Sequence, residues 1–241
     1  MKTKTSSIVI GVFFLATLTG VCFAGPRGGS NRGRDYVVGS QALDPWSAGA
    51  YFHSRERQVR VGRFDPLMKL NEYMVYAGYD VRPFWTVYAS IGESKTKFER
   101  YDYDDSELVY GLGTQLNLFD HEIEDPFILE DRLRINAGGD YTVRETEWIG
   151  GNLEWQELTG YLTLSIVNDV EADKRYYPDS IAVFGGPMYS DILGDDIKDS
   201  SGERFGYVVG FEVFATKRLS LHALMEAFED NGYSVGINLC F

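Results

Sequence analysis

The 241-residue chain is acidic, with 36 Asp and Glu against 23 Lys and Arg and a formal charge of −13. That balance excludes a nucleic-acid footprint, which needs clustered cations to meet phosphates. Tyrosine (16), phenylalanine (15) and glycine (26) are abundant, which suits twisted sheets better than helices, and the cysteines and histidines show no zinc spacing.

Residues 1–24 read as a secretory signal. Lys2 and Lys4 precede the apolar run Ile8 to Val21, and Cys22-Phe23-Ala24 puts small residues at the −3 and −1 positions before Gly25. The run is too short to cross ~30 Å of hydrocarbon as a helix. A lipoprotein signal would want a small residue where Val21 stands. Cleavage after Ala24 would leave 217 residues with a formal charge of −15. Residues 25–43 are Gly/Arg-rich and non-periodic, which predicts a flexible periplasmic lead. No second apolar run approaches the ~20 residues of a spanning helix, so a helical inner-membrane protein is excluded.

From residue 44 onward the expectation is one all-β domain, residues 44–241. Segments with a period of two recur between turn residues. In chain order they are Trp46 to His53, Glu72 to Val81, Phe84 to Gly92, Leu108 to Phe119, residues 131–144, Leu158 to Ile166, Ser180 to Tyr189, Phe205 to Phe214, Leu219 to Glu226 and Tyr233 to Phe241. The pattern predicts a transmembrane antiparallel up-and-down β-barrel of about ten strands. Eight is the alternative, if Trp46 to His53 and Ser180 to Tyr189 stand outside the wall. In residues 131–144, Leu133, Ile135, Ala137, Tyr141 and Val143 oppose Arg132, Arg134, Asn136, Asp140 and Arg144. So many charges on one strand face exceed what a packed soluble core tolerates.

An even strand count puts both termini on the periplasmic side, where turns are short. Arg82-Pro83 and 216–218 then become periplasmic turns. The charged stretches 55–68, 98–105 and 191–202 become outer loops. His121 to Glu130 and Asp169 to Tyr177 are long for periplasmic turns, and 229–232 is short for an outer one.

Alternation alone does not say whether the apolar face meets lipid or a core, because a soluble lipocalin-like barrel would turn it inward. The segments approach the ~9–11 residues of a spanning strand. Trp46, Tyr73, Tyr79, Trp85, Phe205, Tyr233 and Phe241 sit at strand ends on the apolar face, as interfacial girdles require. Both features favour lipid.

The last segment, with Tyr233, Val235, Ile237, Leu239 and Phe241 on one face and an aromatic at the terminus, resembles the C-terminal assembly signal of bacterial outer-membrane proteins. Asp44 to Ser54 resembles the opening strand, and Tyr76 to Pro83 the first periplasmic hairpin, of the small outer-membrane barrels that include OmpA-like and opacity-protein-like proteins. The resemblance implies residence in the bacterial outer membrane and contact with its lipid. It also implies delivery by periplasmic chaperones and the barrel assembly machinery. No peptidoglycan-binding segment follows the last strand, so that activity is not implied.

If the polar face lines the lumen, Asp80, Arg132, Arg134, Asp140, Arg144, Glu212, His222 and Glu226 project inward. In a barrel this narrow, side chains fill the interior, and buried charges persist only when paired. The expectation is an ion-paired lumen in a structural or surface-interacting protein. The alternatives are a narrow porin-like path for small solutes and an outer-membrane hydrolase. For the last, Ser220, His222 and Glu226 lie on one strand face, but strand neighbours two apart stand ~7 Å from each other, too far to hydrogen bond directly. Asp195-Asp196-Ile197-Lys198-Asp199 does not match an EF-hand loop. No catalytic residue, metal or cofactor is expected, and the oligomeric state stays open.

Overall fold

The computed structural model describes residues 45–99, 101–123, 131–148, 151–169, 180–194, 197–200, 204–216 and 218–241. The expected signal peptide and lead lie outside this range. The strands are β1 (Trp46–Val61), β2 (Leu67–Arg82), β3 (Trp85–Phe98), β4 (Tyr101–Ile123), β5 (Asp131–Trp148), β6 (Gly151–Asp169), β7 (Ser180–Leu193), β8 (Ile197–Asp199), β9 (Phe205–Phe214), β10 (Leu219–Ala227) and β11 (Asn231–Cys240). Every pairing is antiparallel, and β1 pairs with β11 to close a ten-strand wall that omits β8. The fold is thus the all-β transmembrane barrel that the pattern predicts. Both weak segments, now β1 and β7, are wall strands, so the count is ten rather than eight. β1 begins and β11 ends at the same end of the barrel, called the lower end below.

The stretches 55–68, 98–105 and 191–202 are corrected by the structure. β1 runs on to Val61, β2 resumes at Leu67, β4 starts at Tyr101 and 197–199 form β8. The wall from β1 to β7 therefore rises well above the ends of β9, β10 and β11, which have only 9 or 10 residues each. Above the Arg55↔Gly232 pair, β1 has no β11 residue beside it. There β8 takes over, with Val59↔Asp199, Arg60↔Lys198 and Val61↔Ile197. β8 thus lies against the upper end of β1, above the last β11 residue beside it.

Along the tall strands the hydrophobic phase inverts. In the lower part of β1, Trp46, Ala48, Ala50 and Phe52 face out, while Ser47, His53 and Arg55 face in. Higher up, Val59 and Val61 are buried inside and Gln58 and Arg60 are exposed. β2 turns Tyr73, Val75 and Tyr79 outward but buries Met68 and Leu70 inside. β6 turns Leu158, Leu162, Leu164 and Ile166 outward but buries Leu153 and Trp155. Below the inversion, Leu164, Val183, Val209 and Phe211 leave between 48% and 56% of their surface open. A continuous apolar exterior of this kind marks a lipid-facing belt. Aromatic contacts edge it on both sides. Trp46 and Tyr79 meet at 4.8 Å near the lower end, and Phe52 meets Tyr73 at 5.0 Å and Tyr233 at 5.9 Å at the upper edge. Above that edge the barrel has the sidedness of a water-soluble protein, with Val59, Val61, Met68, Leu70, Phe98, Leu153, Trp155, Ile192 and Ile197 as one internal core.

Inside the lower barrel, rings lie over glycines on the neighbouring strand. Tyr76 faces Gly49, Tyr88 faces Gly113, Tyr161 faces Gly138 and Phe184 faces Gly210. A Cβ built on Gly138 would fall 2.5 Å from the Tyr161 ring and 2.8 Å from the Thr114 carbonyl oxygen. Part of that obstruction is backbone and cannot swing away. Gly138→Ala should therefore destabilise the barrel by about 1–3 kcal/mol, read as an earlier urea midpoint in vesicles. Gly160→Ala, whose Cβ would meet nothing closer than 3.9 Å, should leave it unchanged.

Candidate functional site in the barrel interior

The inward residues form polar layers beneath the apolar core. At the lower mouth, β4 and β5 face each other with Asp120↔Arg134 and Glu122↔Arg132 in register. Arg134 donates to Asp120 at 2.7 Å, and Arg132 lies 3.4 Å from Glu122 and 3.7 Å from Asp120. A register shift between Asn117 and Phe119 makes this possible, because one extra residue re-aims the side chains that follow. Asp80 accepts from the Thr86 hydroxyl at 2.5 Å.

A second layer joins β9, β10, β11 and β2. The Asn238 amide donates to Glu212 at 3.0 Å and Ser220 at 3.1 Å and lies 3.1 Å from His222 Nδ1, while Tyr76 donates to its carbonyl oxygen at 2.5 Å. β11 admits this cluster because its inner face is Gly232, Ser234, Gly236 and Asn238. A Cβ on Gly236 would come within 2.7 Å of His222 Nε2.

The third layer lies just under the apolar core and joins six strands of the wall to β8. Arg144 donates to Glu72 at 2.6 Å and to Glu157 at 2.8 Å. Arg55 donates to Glu157 at 2.5 Å. His53 lies between two carboxylates, with Nδ1 3.2 Å from Glu72 and Nε2 3.4 Å from Glu226. Arg57 donates to the Ser190 hydroxyl at 2.8 Å and its carbonyl at 3.1 Å, and also to Asp199, which ties β8 to the wall. Each of these charged groups is more than nine-tenths buried. Such burial is tolerable because every carboxylate here meets a cationic or hydrogen-bonding partner.

All eight titratable residues singled out in the sequence sit on the inward face: Asp80, Arg132, Arg134, Asp140, Arg144, Glu212, His222 and Glu226. Many of the groups that meet them were not singled out. Arg55, Arg57 and Asp199 fall in the stretches expected to be loops. Glu72, Asp120, Glu157 and Asn238 lack a distinguishing pattern of their own. Ser220, His222 and Glu226 do not assemble: Ser220 donates to Glu212 at 2.5 Å, His222 meets Asn238, and Glu226 meets His53 and Arg55. Among the described residues no group of His, Cys, Asp and Glu has metal-holding geometry. Tyr233, Val235, Ile237 and Leu239 face outward along β11, and Phe241 packs near the Tyr76–Tyr88 pair.

No protein-family model matches the chain, and no curated protein does. Solved structures of outer-membrane barrels match it at low identity. An outer-membrane channel of Pseudomonas putida F1 aligns over 83% of this chain and 96% of its own, with 9% identity and a TM-score of 0.41. The attachment invasion locus protein of Yersinia pestis aligns over 83% and 100%, with 10% identity and a TM-score of 0.26. The toluene transporter TodX of Pseudomonas putida aligns over 92% and 78%, with 10% identity and a TM-score of 0.23.

Proposed function

We propose that this protein is a closed, non-enzymatic barrel of the bacterial outer membrane that holds a rigid β-walled dome above the lipid at the cell surface. The observation that supports this is the sealed upper storey. An apolar core with Trp155 and Ile197 at most 1% exposed lies directly over a layer of buried charges, Arg144 bridging Glu72 and Glu157 among them. Water and ions have no favourable place in a packed apolar core. The lipid-facing belt, its two aromatic edges and the shared lower end of the termini favour the outer membrane, with the lower end in the periplasm. Membership of the OmpA-like and opacity-protein-like group, export through a cleaved signal and handling by the assembly machinery belong to the same proposal. The dome's exterior, with Glu56, Lys69, Glu93, Lys95, Glu145 and Glu154 exposed or half-buried, is the surface on which a partner would act.

Reconstituted into planar bilayers, the purified protein should give no current steps above those of the bare membrane. Reproducible conductance that shifts in Arg134→Gln or Asp140→Asn would replace this proposal with the porin-like one. A lipid- or peptide-cleaving activity lost in His222→Ala would replace it with the hydrolase.

A further inference from the structure

The outer face of the wall above the lipid belt carries two like-charged pairs of opposite sign. On β2 and β3, Lys69 and Lys97 are direct cross-strand neighbours, Lys95 lies beside Asn71, and all three lysines are exposed. On β5 and β6, Glu145 and Glu154 are direct cross-strand neighbours, and both are exposed. Like charges directly opposite each other destabilise a sheet. On the lysine face, Lys69 meets Glu56 at 2.7 Å, an exposed pair of small energetic weight, and Glu93 is also exposed there. On the glutamate face, Asn152 donates to Glu145 at 2.7 Å. The three arginines of β5 all point inward, and β6 contains no lysine or arginine, so no cation on those two strands faces the glutamates.

The two pairs stand at one height. Glu72 on β2 and Glu157 on β6 are held by the same guanidinium, that of Arg144, at 2.6 and 2.8 Å. Both strands run from the dome down to the lower end, and the strands of one barrel share a tilt. Lys69 is three residues above Glu72, and Glu154 is three residues above Glu157.

The belt beneath has matching relief at matching depth. Five residues below Glu72, Ala77 lies between Ala48 and Ala89 in cross-strand register. The three alanines make a shallow trough, with Val75 above it and Tyr79 below it on β2. Five residues below Glu157, Leu162 projects outward between Leu158 and Leu164 and is 45% exposed. In lipid, close fit drives association, because the tails are as apolar as the side chains.

The bilayer holds every copy of a barrel at one depth, so features matched in height on two faces of one copy meet between two copies. We infer that copies of this chain associate side by side in the membrane, the β2–β3 face of one against the β5–β6 face of the next. Lys69 and Lys97 meet Glu145 and Glu154 of the neighbouring copy, and that copy's Leu162 lies in the alanine trough. The two faces are different surfaces, so the contact is heterologous and leaves a face open for a further copy. The inference rests on the membrane placement proposed above.

The test is carbodiimide coupling, which joins a lysine amine to a carboxylate in contact with it, on the full chain refolded into phosphatidylcholine vesicles. An equal mixture of 15N-labelled and unlabelled copies separates bonds between copies from those within one. Peptides holding Lys69 or Lys97 of one copy joined to Glu145 or Glu154 of another are expected. Ala77→Phe keeps every reactive group but fills the trough, and should lower their yield about tenfold. If it fails to fold, judged by heat-modifiable gel migration, Ala89→Phe takes its place with the same expected loss. An unchanged yield in the folded variant means random collision and overturns the inference, as does the absence of such peptides from vesicle-inserted protein. Peptides that vanish when phosphatidylglycerol is added assign the lysine face to lipid phosphate and overturn it too. Protein that does not float with the vesicles would instead overturn the membrane reading itself.

Discussion

Arg144→Leu should destabilise the barrel by about 3–5 kcal/mol, the cost of removing one partner from a buried ion pair. Arg144 is 1% exposed and bridges Glu72 and Glu157, at 2.6 and 2.8 Å. Its loss leaves Glu72 with His53 and leaves Glu157 with Arg55, Arg57 and Ser190. Two carboxylates would then share fewer donors in a space that excludes water. Unfolding by urea in lipid vesicles, followed by gel migration, measures the effect. Arg144→Leu combined with Glu72→Gln and Glu157→Gln should recover much of the loss, since neutral amides avoid the buried-charge penalty. If the single change costs no more than a surface substitution, water reaches this layer and the sealed-barrel proposal fails with it. Salt should have little influence, because screening acts weakly on buried pairs. The exposed Lys69–Glu56 pair, by contrast, should contribute little at any ionic strength.

The membrane half of the fold could be read from the sequence because lipid demands a strict rule. Every second residue must be apolar where the wall meets hydrocarbon, so Tyr233 to Leu239 and Leu158 to Ile166 stand out by pattern alone. β7 is weaker because Gly185, Gly186 and Pro187 interrupt it. Pro187 cannot donate to a ladder. Accordingly, the β6–β7 register passes from Tyr161↔Met188 to Leu164↔Gly185 with no pair at 186 and 187, while the β9 side continues through both. The upper half escapes a pattern search for a different reason. Between residues 54 and 58 of β1 both faces are polar, since Arg55 and Arg57 belong to the internal layer and Glu56 and Gln58 to the exterior. With no contrast between faces, the segment looks like a charged loop. Above it alternation returns in the opposite phase, with Val59 and Val61 inward. The same flip separates Met68 and Leu70 from Tyr73 and Val75, and Leu153 and Trp155 from Leu158 and Leu162. A search for changes of phase, rather than for alternation alone, would find the dome. The partners of the internal charges are a harder case. Glu157 and Arg55 are 102 residues apart in sequence and meet only because the wall curves closed.

The phase inversion makes a sharp prediction along a single strand. Leu164 and Gln156 both point outward on β6, eight residues apart, one in the lipid belt and the other above it. Leu164→Lys should cost about 2–4 kcal/mol, the depth-dependent price of a cation against the middle of a bilayer. Gln156→Lys should change stability by less than about 0.5 kcal/mol, as a charged side chain in water does. On the inward face the order reverses. Trp155→Ala, which empties the centre of the dome, should cost about 3–5 kcal/mol. Its effect should appear first as protease cleavage within 194–204, because β8 is held by Ile197 packing against that core as well as by Arg57. The belt below should stay folded and membrane-inserted. Equal penalties for lysine at 164 and 156 would place both positions in the same medium, and the two-storey barrel would have to be abandoned. Unequal penalties with an intact belt in Trp155→Ala would separate the two solvents within one set of strands: lipid outside the lower half, and water around an apolar core in the upper.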